Sequence, residues 1–589
     1  MLKDLLGFML AYALKARRRK RAASLCAQAN RLWENGDTAG AESLLRKAIA
    51  SDPGSAQVAG NLGLLVFERG NREEGMALLQ KAVALDPQFA GARVNYAIAL
   101  YLGGASEEAL TQYRVALGID PDNAEARLNM LMPLLETCDW DSSEAEVARL
   151  IERAADPADA KILDCVDPFL SLVVPIPPAL RLRIARHHSK IAASRVARLP
   201  RVQRVDRGRE RTKLRIGYVS NSFQNGATAH LASGLFEQHD RARFETFAYS
   251  LRTDGDDGGG YRARLVAAFD HFHDIRSLDH RGAAQRIADD GIDILVDIMG
   301  FQADARPEIG EMRPAPVQVS FLGYPGTLGS EAFDYLVADR TVIPESEVQY
   351  YAEKIIWMPD AYQANDDLQP IAAPTDRAKN RLPAAGFVFC GFNQQSKIER
   401  HVIDRWLRIL GHVPGSVLWL LAGPGEGRLR ARAAQQGIDP ARLVFGPLLP
   451  KADHLSRLRL VDLFLDTYTY NAHTTSSDAL WAGVPVLTCP SPSFAGRVAS
   501  SLLKAVGLPE LICTDLAEYE RQAVALALDP SGLAALRAKL AANRLTHPLF
   551  DTRKYTRHFE HALDTIWEIH RAGGVHRSFA VDTLPKPRD

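Results

Sequence analysis

The chain has 589 residues, of which 47% are hydrophobic and 24% charged, as expected for a soluble globular protein built from several domains. Lys plus Arg and Asp plus Glu both number 71, and a net charge of zero argues against a general nucleic-acid-binding protein. The six cysteines are scattered and form no CxxC pair, so we predict a reducing, cytoplasmic location and no zinc site.

Residues 1–20 combine an apolar stretch with the start of a basic one. The apolar run 5–14 is too short to span a bilayer, and the basic cluster 15–21 follows it, so no signal peptide is expected. We predict a helix that packs on the rest of the chain. The alternative is a weak anchor at an anionic membrane surface, because apolar residues beside basic ones suit such an interface.

Residues 21–136 carry a 34-residue repeat in which four residue types keep one register. The recurring positions are Gly36, Gly70 and Gly104; Pro53, Pro87 and Pro121, each after an Asp; Asn61, Asn95 and Asn129; and Ala48, Ala82 and Ala116. This pattern resembles the tetratricopeptide repeat, with units near 21–54, 55–88 and 89–122 and a further helix from 123. Such helix pairs stack into a superhelix with a concave face.

The asparagine column predicts a groove for protein or peptide partners. Asn is a poor helix former, so its recurrence at Asn61, Asn95 and Asn129 indicates a role. An amide can bond the backbone of a guest peptide without recognising its side chains. The alternative is that each Asn bonds to the neighbouring repeat.

Residues 137–210 are predicted to be a helical connector. Helical patterning is broken at Pro175, Pro177 and Pro178, then resumes in a basic segment at 180–197. A charged linker at 201–213 follows.

Residues 211–375 alternate strand-like and helical segments, which predicts a parallel, doubly wound sheet. The predicted strands are 214–220, 245–251, 293–298, 317–322, 334–338 and 354–358. Ligands of such sheets bind beyond the carboxyl ends of strands, where the loops 221–230 and 323–327 lie. In the second loop Gly323, Pro325, Gly326 and Thr327 predict a close approach of backbone to a ligand. The acidic segment 254–257 lies in a Gly-rich turn and predicts no metal site.

Residues 376–572 contain a second alternating set, with strands predicted at 387–393, 416–421, 443–445, 463–465 and 484–488. His473, Thr474 and Thr475 lie where a predicted strand ends and a predicted helix begins. Free N–H groups and the helix dipole at such a start, with hydroxyls beside them, predict a diphosphate site, and Asp478 one turn later can hold ribose hydroxyls. The alternative is that these hydroxyls only cap the helix.

Two further loops of this region supply cations. Lys397 follows the first strand and can reach a diphosphate as a point charge. Lys451, His454 and Arg457 lie within one helical turn after the third strand and predict contacts to a base and its ribose, although a solvated helix face is the alternative. Residues 547–572 predict a closing helix, and the polar tail 573–589 is predicted to be loose.

Together, residues 25–572 resemble bacterial homologues of the O-linked N-acetylglucosamine transferase, glycosyltransferase family 41, which also includes SPINDLY-like enzymes. The matching segments are 215–220, 313–318, 322–327, 392–394, 397–398, 450–454 and 473–478. The resemblance implies an α-helical repeat superhelix followed by a GT-B fold, in which two Rossmann-like lobes face each other across a cleft.

The resemblance also implies roles for the matching residues. Gln394 and Lys397 would hold the diphosphate, Thr474 and Thr475 its phosphate oxygens, Lys451 and Asp478 the ribose, and His454 and Arg457 the base, while His473 shapes the loop. The implied reaction is inverting transfer of a sugar, foremost N-acetylglucosamine from its UDP donor, to Ser or Thr hydroxyls of proteins held by the repeats. No metal or other cofactor is implied.

One departure from the family lies at Gly226, where the family has a histidine near the donor phosphate and the acceptor. His230 is our candidate substitute; a slow enzyme or a different donor are the alternatives. UDP-glucose, GDP-fucose or a glycan acceptor therefore stay open, as does a repeat scaffold with inactive lobes, although the intact Lys397 and Asp478 argue against the scaffold. We expect Lys397 to lie beside the Thr474 amide, because separation of the two would remove the site.

Overall fold

The computed structural model describes residues 2–205, 212–252 and 260–584. Within these ranges an array of paired helices leads through a connector into two α/β lobes, which confirms the predicted fold class. The acidic segment 254–257 and part of the linker 201–213 lie outside the described residues.

The helices of the array pair as the 34-residue period predicts. The turn within each pair holds a glycine with left-handed backbone, with φ of 83° at Gly36, 99° at Gly70 and 86° at Gly104. The recurring alanines are fully buried where neighbouring helices pack. The helices are α1 (Leu2–Glu34), α2 (Thr38–Ser51), α3 (Ala56–Glu68), α4 (Arg72–Leu85), α5 (Ala90–Leu102), α6 (Ser106–Ile119), α7 (Ala124–Asn129), α8 (Leu131–Glu136) and α9 (Trp140–Ala155).

The segment predicted as a separate N-terminal helix is continuous with the first repeat helix. α1 is unbroken, and Met9, Tyr12 and Leu14 are exposed on it, so the predicted packing on the rest of the chain is wrong for these three side chains. In the part of the chain that the structure describes, no helix has both the length and the apolar character to cross a bilayer.

The connector is helical, as predicted, and joins the array to the first lobe. It contains a 3₁₀ helix (Pro157–Cys165), α10 (Leu170–Val173) and α11 (Pro178–Val196). Pro178 begins α11, where its missing N–H leaves no hydrogen bond unmade. The Ser189 hydroxyl on α11 donates to the carbonyl oxygen of Leu328 in the first lobe at 2.6 Å.

The first lobe is built on a parallel sheet in the order β7-β6-β5-β4-β1-β2-β3. Its strands are β1 (Leu214–Ser220), β2 (Phe244–Ser250), β3 (His271–Asp274), β4 (Ile294–Asp297), β5 (Val317–Ser320), β6 (Tyr335–Asp339) and β7 (Lys354–Met358), with helices α12 (Ala227–Glu237), α13 (Tyr261–Ala268), α14 (His280–Asp289) and α15 (Pro307–Glu311). All predicted strands are present, and β3 was not predicted. The strand order reverses between β1 and β4, so the crevice beyond their carboxyl ends is the expected ligand position.

The second lobe repeats this design with the strand order β10-β9-β8-β11-β12, all parallel. Its strands are β8 (Val388–Gly391), β9 (Val417–Leu421), β10 (Leu443–Gly446), β11 (Leu463–Leu465) and β12 (Val486–Leu487), with helices α16 (Arg400–His412), α17 (Glu426–Gln435), α18 (Lys451–Leu458), α19 (Thr474–Ala482), α20 (Val498–Ala505), α21 (Leu516–Leu528) and α22 (Pro530–Asn543). Here the order reverses between β8 and β11. The loops after these two strands must therefore meet at the switch point.

The C-terminal elements return to the first lobe. α23 (Thr552–Arg571), predicted within the second lobe, packs on the first: Glu560 Oε1 accepts from the Asp240 backbone N–H at 2.7 Å, and the Phe559 and Phe321 ring centroids are 4.9 Å apart. The tail predicted to be loose forms β13 (Phe579–Ala580), which pairs in parallel with β7. The prediction was wrong there because a polar local sequence does not show that these residues pair with a distant strand.

Candidate active site

The site centres on the start of α19 and on the loop of residues 466–473 that leads into it. Asp466 holds this loop in one conformation: its Oδ1 accepts from the backbone N–H of Thr467 at 2.8 Å and of Ala472 at 2.7 Å, and its Oδ2 from the Thr488 hydroxyl at 2.6 Å. Burial raises the pKa of Asp466 to about 7. The loop that precedes the helix is therefore preformed.

His473 closes the loop at the N-cap position of α19. Its ring stacks on Tyr470 with centroids 4.5 Å apart, and its Nε2 lies 2.9 Å from the carbonyl oxygen of Ala495. Burial, followed by the charge of Lys397, lowers the pKa of His473 to about 3, so the ring is neutral. Its side chain makes no capping hydrogen bond, so within the described chain it does not occupy the first N–H groups of α19.

Lys397 lies beside this helix start, as expected. It ends a 3₁₀ helix (Gln395–Lys397) in the segment 393–398 after β8, which we call the lysine loop. Its Nζ donates to the carbonyl oxygen of Asn471 at 3.4 Å, three residues before Thr474, and lies 3.8 Å from the centroid of the Tyr470 ring. Burial lowers the pKa of Lys397 to about 7.

A second contact joins the lysine loop to α19. The Thr475 hydroxyl donates to Asn393 Oδ1 at 2.8 Å. Gln394, which was also predicted to hold the diphosphate, is exposed in the same loop. The Lys397 ammonium group, the N-terminus of α19 and the Thr475 hydroxyl thus lie at the switch point of the second lobe, an arrangement that suits a diphosphate.

Lys451 and Asp478 form an ion pair between α18 and α19. Their side chains are only 5% and 6% exposed, and burial raises the pKa of Asp478 against the opposing effect of Lys451. His454, one turn further along α18, places its Nε2 3.8 Å from the second carboxylate oxygen of Asp478. These groups therefore lie together on α18 and on the first turns of α19.

Arg457 lies beneath His454 rather than in the site, contrary to the predicted contact with a base. It is 1% exposed, stacks 4.4 Å from the Phe392 ring centroid and donates to the carbonyl oxygen of Pro447 at 2.6 Å. Its Nε and Nη2 donate to His454 Nδ1 at 3.1 and 3.0 Å. Because Nδ1 accepts, the proton of His454 is on Nε2, and burial lowers the pKa of His454 to about 3.

His230, on α12 of the first lobe, faces these residues across the cleft. Burial and the charge of Lys451 lower the pKa of His230 to about 3, and its ring also lowers the pKa of His454. Its Nε2 bonds Asn225 Oδ1 at 2.7 Å. Gly226 is the N-cap residue of α12 and has an extended backbone, φ 179°; a Cβ there would meet only the Gln224 carbonyl oxygen at 3.9 Å. The first lobe therefore brings His230 to the candidate site of the second.

The loop 323–327, which was predicted to contact a ligand, instead packs against other parts of the protein. Thr327 is buried, and its hydroxyl donates to Glu353 Oε2 at 2.7 Å. A side chain at Gly323 would collide with the carbonyl oxygen of Ile298, and one at Gly326 would lie 3.1 Å from Leu172 of the connector. Pro325 lines a small crevice between the connector and the two lobes. The glycines thus permit close approach of protein rather than of ligand.

The asparagine column bonds along the array. Asn95 Nδ2 donates to Asn61 Oδ1 at 3.3 Å, and Asn61 Nδ2 to Asn30 Oδ1 at 3.2 Å, so the inter-repeat bonds left open above are present. Asn129 ends α7 and is half-buried. Asn61 and Asn95 also line a cavity of 610 Å³, closed on the other side by residues of the connector and first lobe that include His280 and Arg306.

Sequence reasoning missed Asp466, Tyr470 and Asn471. Asp466 carries a usable signal, because an acidic residue directly after a buried strand stands where ligand loops begin. Tyr470 and Asn471 act through a ring face and a backbone carbonyl, which leave no signal in residue type.

Comparisons with known proteins place the chain in a family. A family model described as glycosyl transferase family 41 matches residues 137–372 and 364–559, and a tetratricopeptide repeat model matches 26–90 and 67–124. A probable UDP-N-acetylglucosamine--peptide N-acetylglucosaminyltransferase SEC of Arabidopsis thaliana is 38% identical over 481 residues, which cover 78% of this chain and 49% of that protein. The UDP-N-acetylglucosamine--peptide N-acetylglucosaminyltransferase of Caenorhabditis elegans is 30% identical over 560 residues, covering 74% and 48%.

A solved structure matches along nearly its whole length. It is a mutant of the Thermobaculum terrenum O-GlcNAc transferase, with a TM-score of 0.67 and 28% identity, covering 95% of this chain and 99% of that one. The chain spans about half the length of the curated relatives just described.

Proposed function

The chain belongs to glycosyl transferase family 41, and from that premise we propose that it is a protein O-glycosyltransferase. It transfers N-acetylglucosamine from UDP-N-acetylglucosamine to Ser or Thr hydroxyls of protein acceptors. The relatives named as UDP-N-acetylglucosamine--peptide transferases support this donor and this class of acceptor.

The convergence of Lys397 with the start of α19 is the observation that carries the proposal. Lys397 Nζ lies 3.4 Å from the carbonyl oxygen of Asn471 in the loop that leads into α19, and no side chain caps the start of that helix, which supports a shared anion site. Charge develops on the diphosphate as the bond to the sugar breaks, and preorganised cationic groups stabilise it. These groups supply positive charge without a divalent cation, and we propose that transfer needs no metal or other cofactor.

The nucleoside end of the donor fits beside Lys397 and the start of α19. In the free protein Lys451 neutralises the buried carboxylate of Asp478. We assign both groups to ribose hydroxyls, with Asp478 accepting hydrogen bonds and Lys451 donating one. Neutral His454, held by Arg457 with its proton on Nε2, offers a ring face and one N–H to the base.

The acceptor hydroxyl attacks the anomeric carbon from the side opposite the diphosphate, which inverts the configuration. The new carbon–oxygen bond forms as the bond to the diphosphate breaks, the diphosphate leaves with the electron pair of that bond, and the hydroxyl proton is released to solvent. His230 is unprotonated at neutral pH, but a pKa of about 3 makes it a weak base. We therefore assign His230 a contact with the bound donor rather than the role of general base.

The groove of the array is the proposed acceptor site. The amides of Asn61 and Asn95 line the 610 Å³ cavity between the array and the first lobe. Asn61 donates to Asn30 and to the Cys26 sulfur and accepts from Asn95, while Asn95 donates to Asn61, so both amide oxygens keep acceptor capacity. Backbone groups of an extended acceptor can use this capacity.

A donor panel combined with one lysine variant tests the proposal. UDP-N-acetylglucosamine, UDP-glucose and GDP-fucose, each labelled in the sugar, are incubated with host lysate and the protein, with and without a chelator. We expect chelator-resistant transfer from the first donor to Ser or Thr, identified by mass spectrometry. Lys397→Met should lower the rate by a factor of about 10² to 10³.

Lys539→Met is the matched control, because Lys539 makes an exposed ion pair with Glu510 on the surface of the second lobe. Its transfer rate should equal that of the unaltered protein. Preference for another donor refutes the assigned sugar. Failure to bind UDP at about millimolar concentration, together with no transfer from any donor, would instead identify a scaffold with inactive lobes.

A further inference from the structure

The end of the helical array touches the lysine loop directly. Trp140, the first residue of α9, is 9% exposed, and its indole Nε1 donates to the carbonyl oxygen of Ile398 at 2.8 Å. That carbonyl belongs to the residue after Lys397. The hydrogen bond therefore holds the peptide group between Ile398 and Glu399, one residue beyond the lysine.

The turn that precedes Trp140 is tightly packed. Cys138 has a left-handed backbone with φ 55°, rare for a residue with a side chain, and is 1% exposed. Its Sγ lies 2.7 Å from where a Cβ on Gly425 would stand. The Gln395 carboxamide accepts from the Gly425 N–H at 2.7 Å and donates to the Leu421 carbonyl oxygen at 3.1 Å. The array, the lysine loop and the loop after β9 are therefore tightly packed against one another.

The second lobe holds the same segment from the opposite side. The Glu399 carboxylate accepts from the Thr469 backbone N–H at 2.9 Å and from the Thr469 hydroxyl at 2.7 Å. With Lys397 against Tyr470 and Ile398 against Trp140, three successive residues are each fixed by a different partner. The direction of the lysine side chain depends on all three contacts.

We infer that Trp140 is a positioning residue for Lys397, because its indole N–H holds the Ile398 carbonyl and so sets where the ammonium group points. The inference rests on the proposed function, in which Lys397 faces the donor diphosphate. Without the N–H, a buried carbonyl oxygen loses its partner, and the peptide rotates toward another donor. The repeat array then contributes to the donor site without touching the donor.

Trp140→Phe removes the indole N–H and keeps an aromatic ring. Trp357→Phe is the matched control, since Trp357 is 8% exposed and its Nε1 donates to the Ile343 carbonyl oxygen at 2.8 Å within the first lobe. Both variants lose one buried indole–carbonyl bond, but only one of these bonds adjoins Lys397. We expect Trp140→Phe to weaken UDP binding about tenfold by calorimetric titration, and Trp357→Phe to leave it unchanged.

The pH dependence of kcat/KM for the donor separates positioning from a loss of folded protein. The groups that face Lys397 are Asp466, His473 and the Tyr470 ring, and all remain in both variants. A smaller folded fraction lowers the whole profile and leaves its shape. A displaced Lys397 gains water, so its ammonium form persists and the alkaline limb moves to higher pH in Trp140→Phe only.

Equal UDP affinity in Trp140→Phe and the unaltered protein, with an unshifted alkaline limb, would overturn the inference. Identical losses in both variants would overturn it too. If Trp140→Phe fails to fold, benzothienylalanine at position 140 replaces the N–H by sulfur at constant shape, and the same titration decides. If the unaltered protein binds UDP but transfers no sugar, the proposed function fails, while the UDP titration still judges Trp140.

Discussion

The buried ion pair between Lys451 and Asp478 offers a direct test of the donor site. Their side chains are 5% and 6% exposed, and His454 Nε2 stands 3.8 Å from the second Asp478 oxygen. Lys451→Met keeps most of the side-chain volume and removes the charge. The carboxylate of Asp478 is then left in the interior without its cation.

Two estimates give a similar size for the loss in the free energy of unfolding. Removing one partner of a buried pair costs about 3–5 kcal/mol. Asp478 can instead take up a proton, and neutralising a carboxyl of ordinary pKa at pH 7 costs about 4 kcal/mol, which sets a ceiling. Because the Nε2–H of His454 can move toward the carboxylate and recover part of this, we expect a loss of about 3 kcal/mol in the free energy of unfolding.

Denaturant unfolding and calorimetric UDP titration measure the two effects separately. Lys451→Met should lower both stability and UDP affinity. The double variant Lys451→Met/Asp478→Leu should recover most of the stability but not UDP binding, because the charges are balanced while the ribose contacts are gone. Lys539→Met, at a pair with side chains 45% and 40% exposed, should change stability by less than about 1 kcal/mol.

A loss of less than about 1 kcal/mol in Lys451→Met would refute the assignment of a buried pair. A double variant that binds UDP as tightly as the unaltered protein would refute the assignment of both groups to ribose.

Three further predictions follow from the same geometry. Gly226→His should fold normally, since the extended backbone and open space at Gly226 accept a side chain, and should raise the transfer rate about tenfold or more; a lower rate with unchanged UDP affinity would contradict this. Calorimetric titration should show the affinity for UDP-N-acetylglucosamine falling by up to about tenfold per pH unit above about pH 7. Burial lowers the pKa of Lys397 to about 7, so its ammonium charge is lost above that pH. The Lys397→Met variant should show no such fall. Thr327→Val should destabilise the protein by about 1–3 kcal/mol by denaturant unfolding, because Glu353 loses a buried partner, yet leave UDP affinity unchanged; weakened UDP binding would return Thr327 to the donor site.

The amino-acid sequence by itself determined the architecture of this protein. The 34-residue period predicted the helix pairs, in which the turns at Gly36, Gly70 and Gly104 have left-handed backbone. The alternation of apolar runs predicted two parallel sheets. Lys397 and Thr474 were predicted to be neighbours because loops after strands of a doubly wound sheet gather at one edge.

Only the tertiary structure decided which way side chains face and which distant segments support them. Arg457 and Thr327 stand at predicted positions but are buried, and residue type alone does not give the direction of a side chain. The bond from Trp140 to Ile398 spans 258 residues, and the last strand, Phe579–Ala580, pairs with one formed far earlier in the chain. Such contacts leave no local pattern, because they form only once the lobes and the array have packed together.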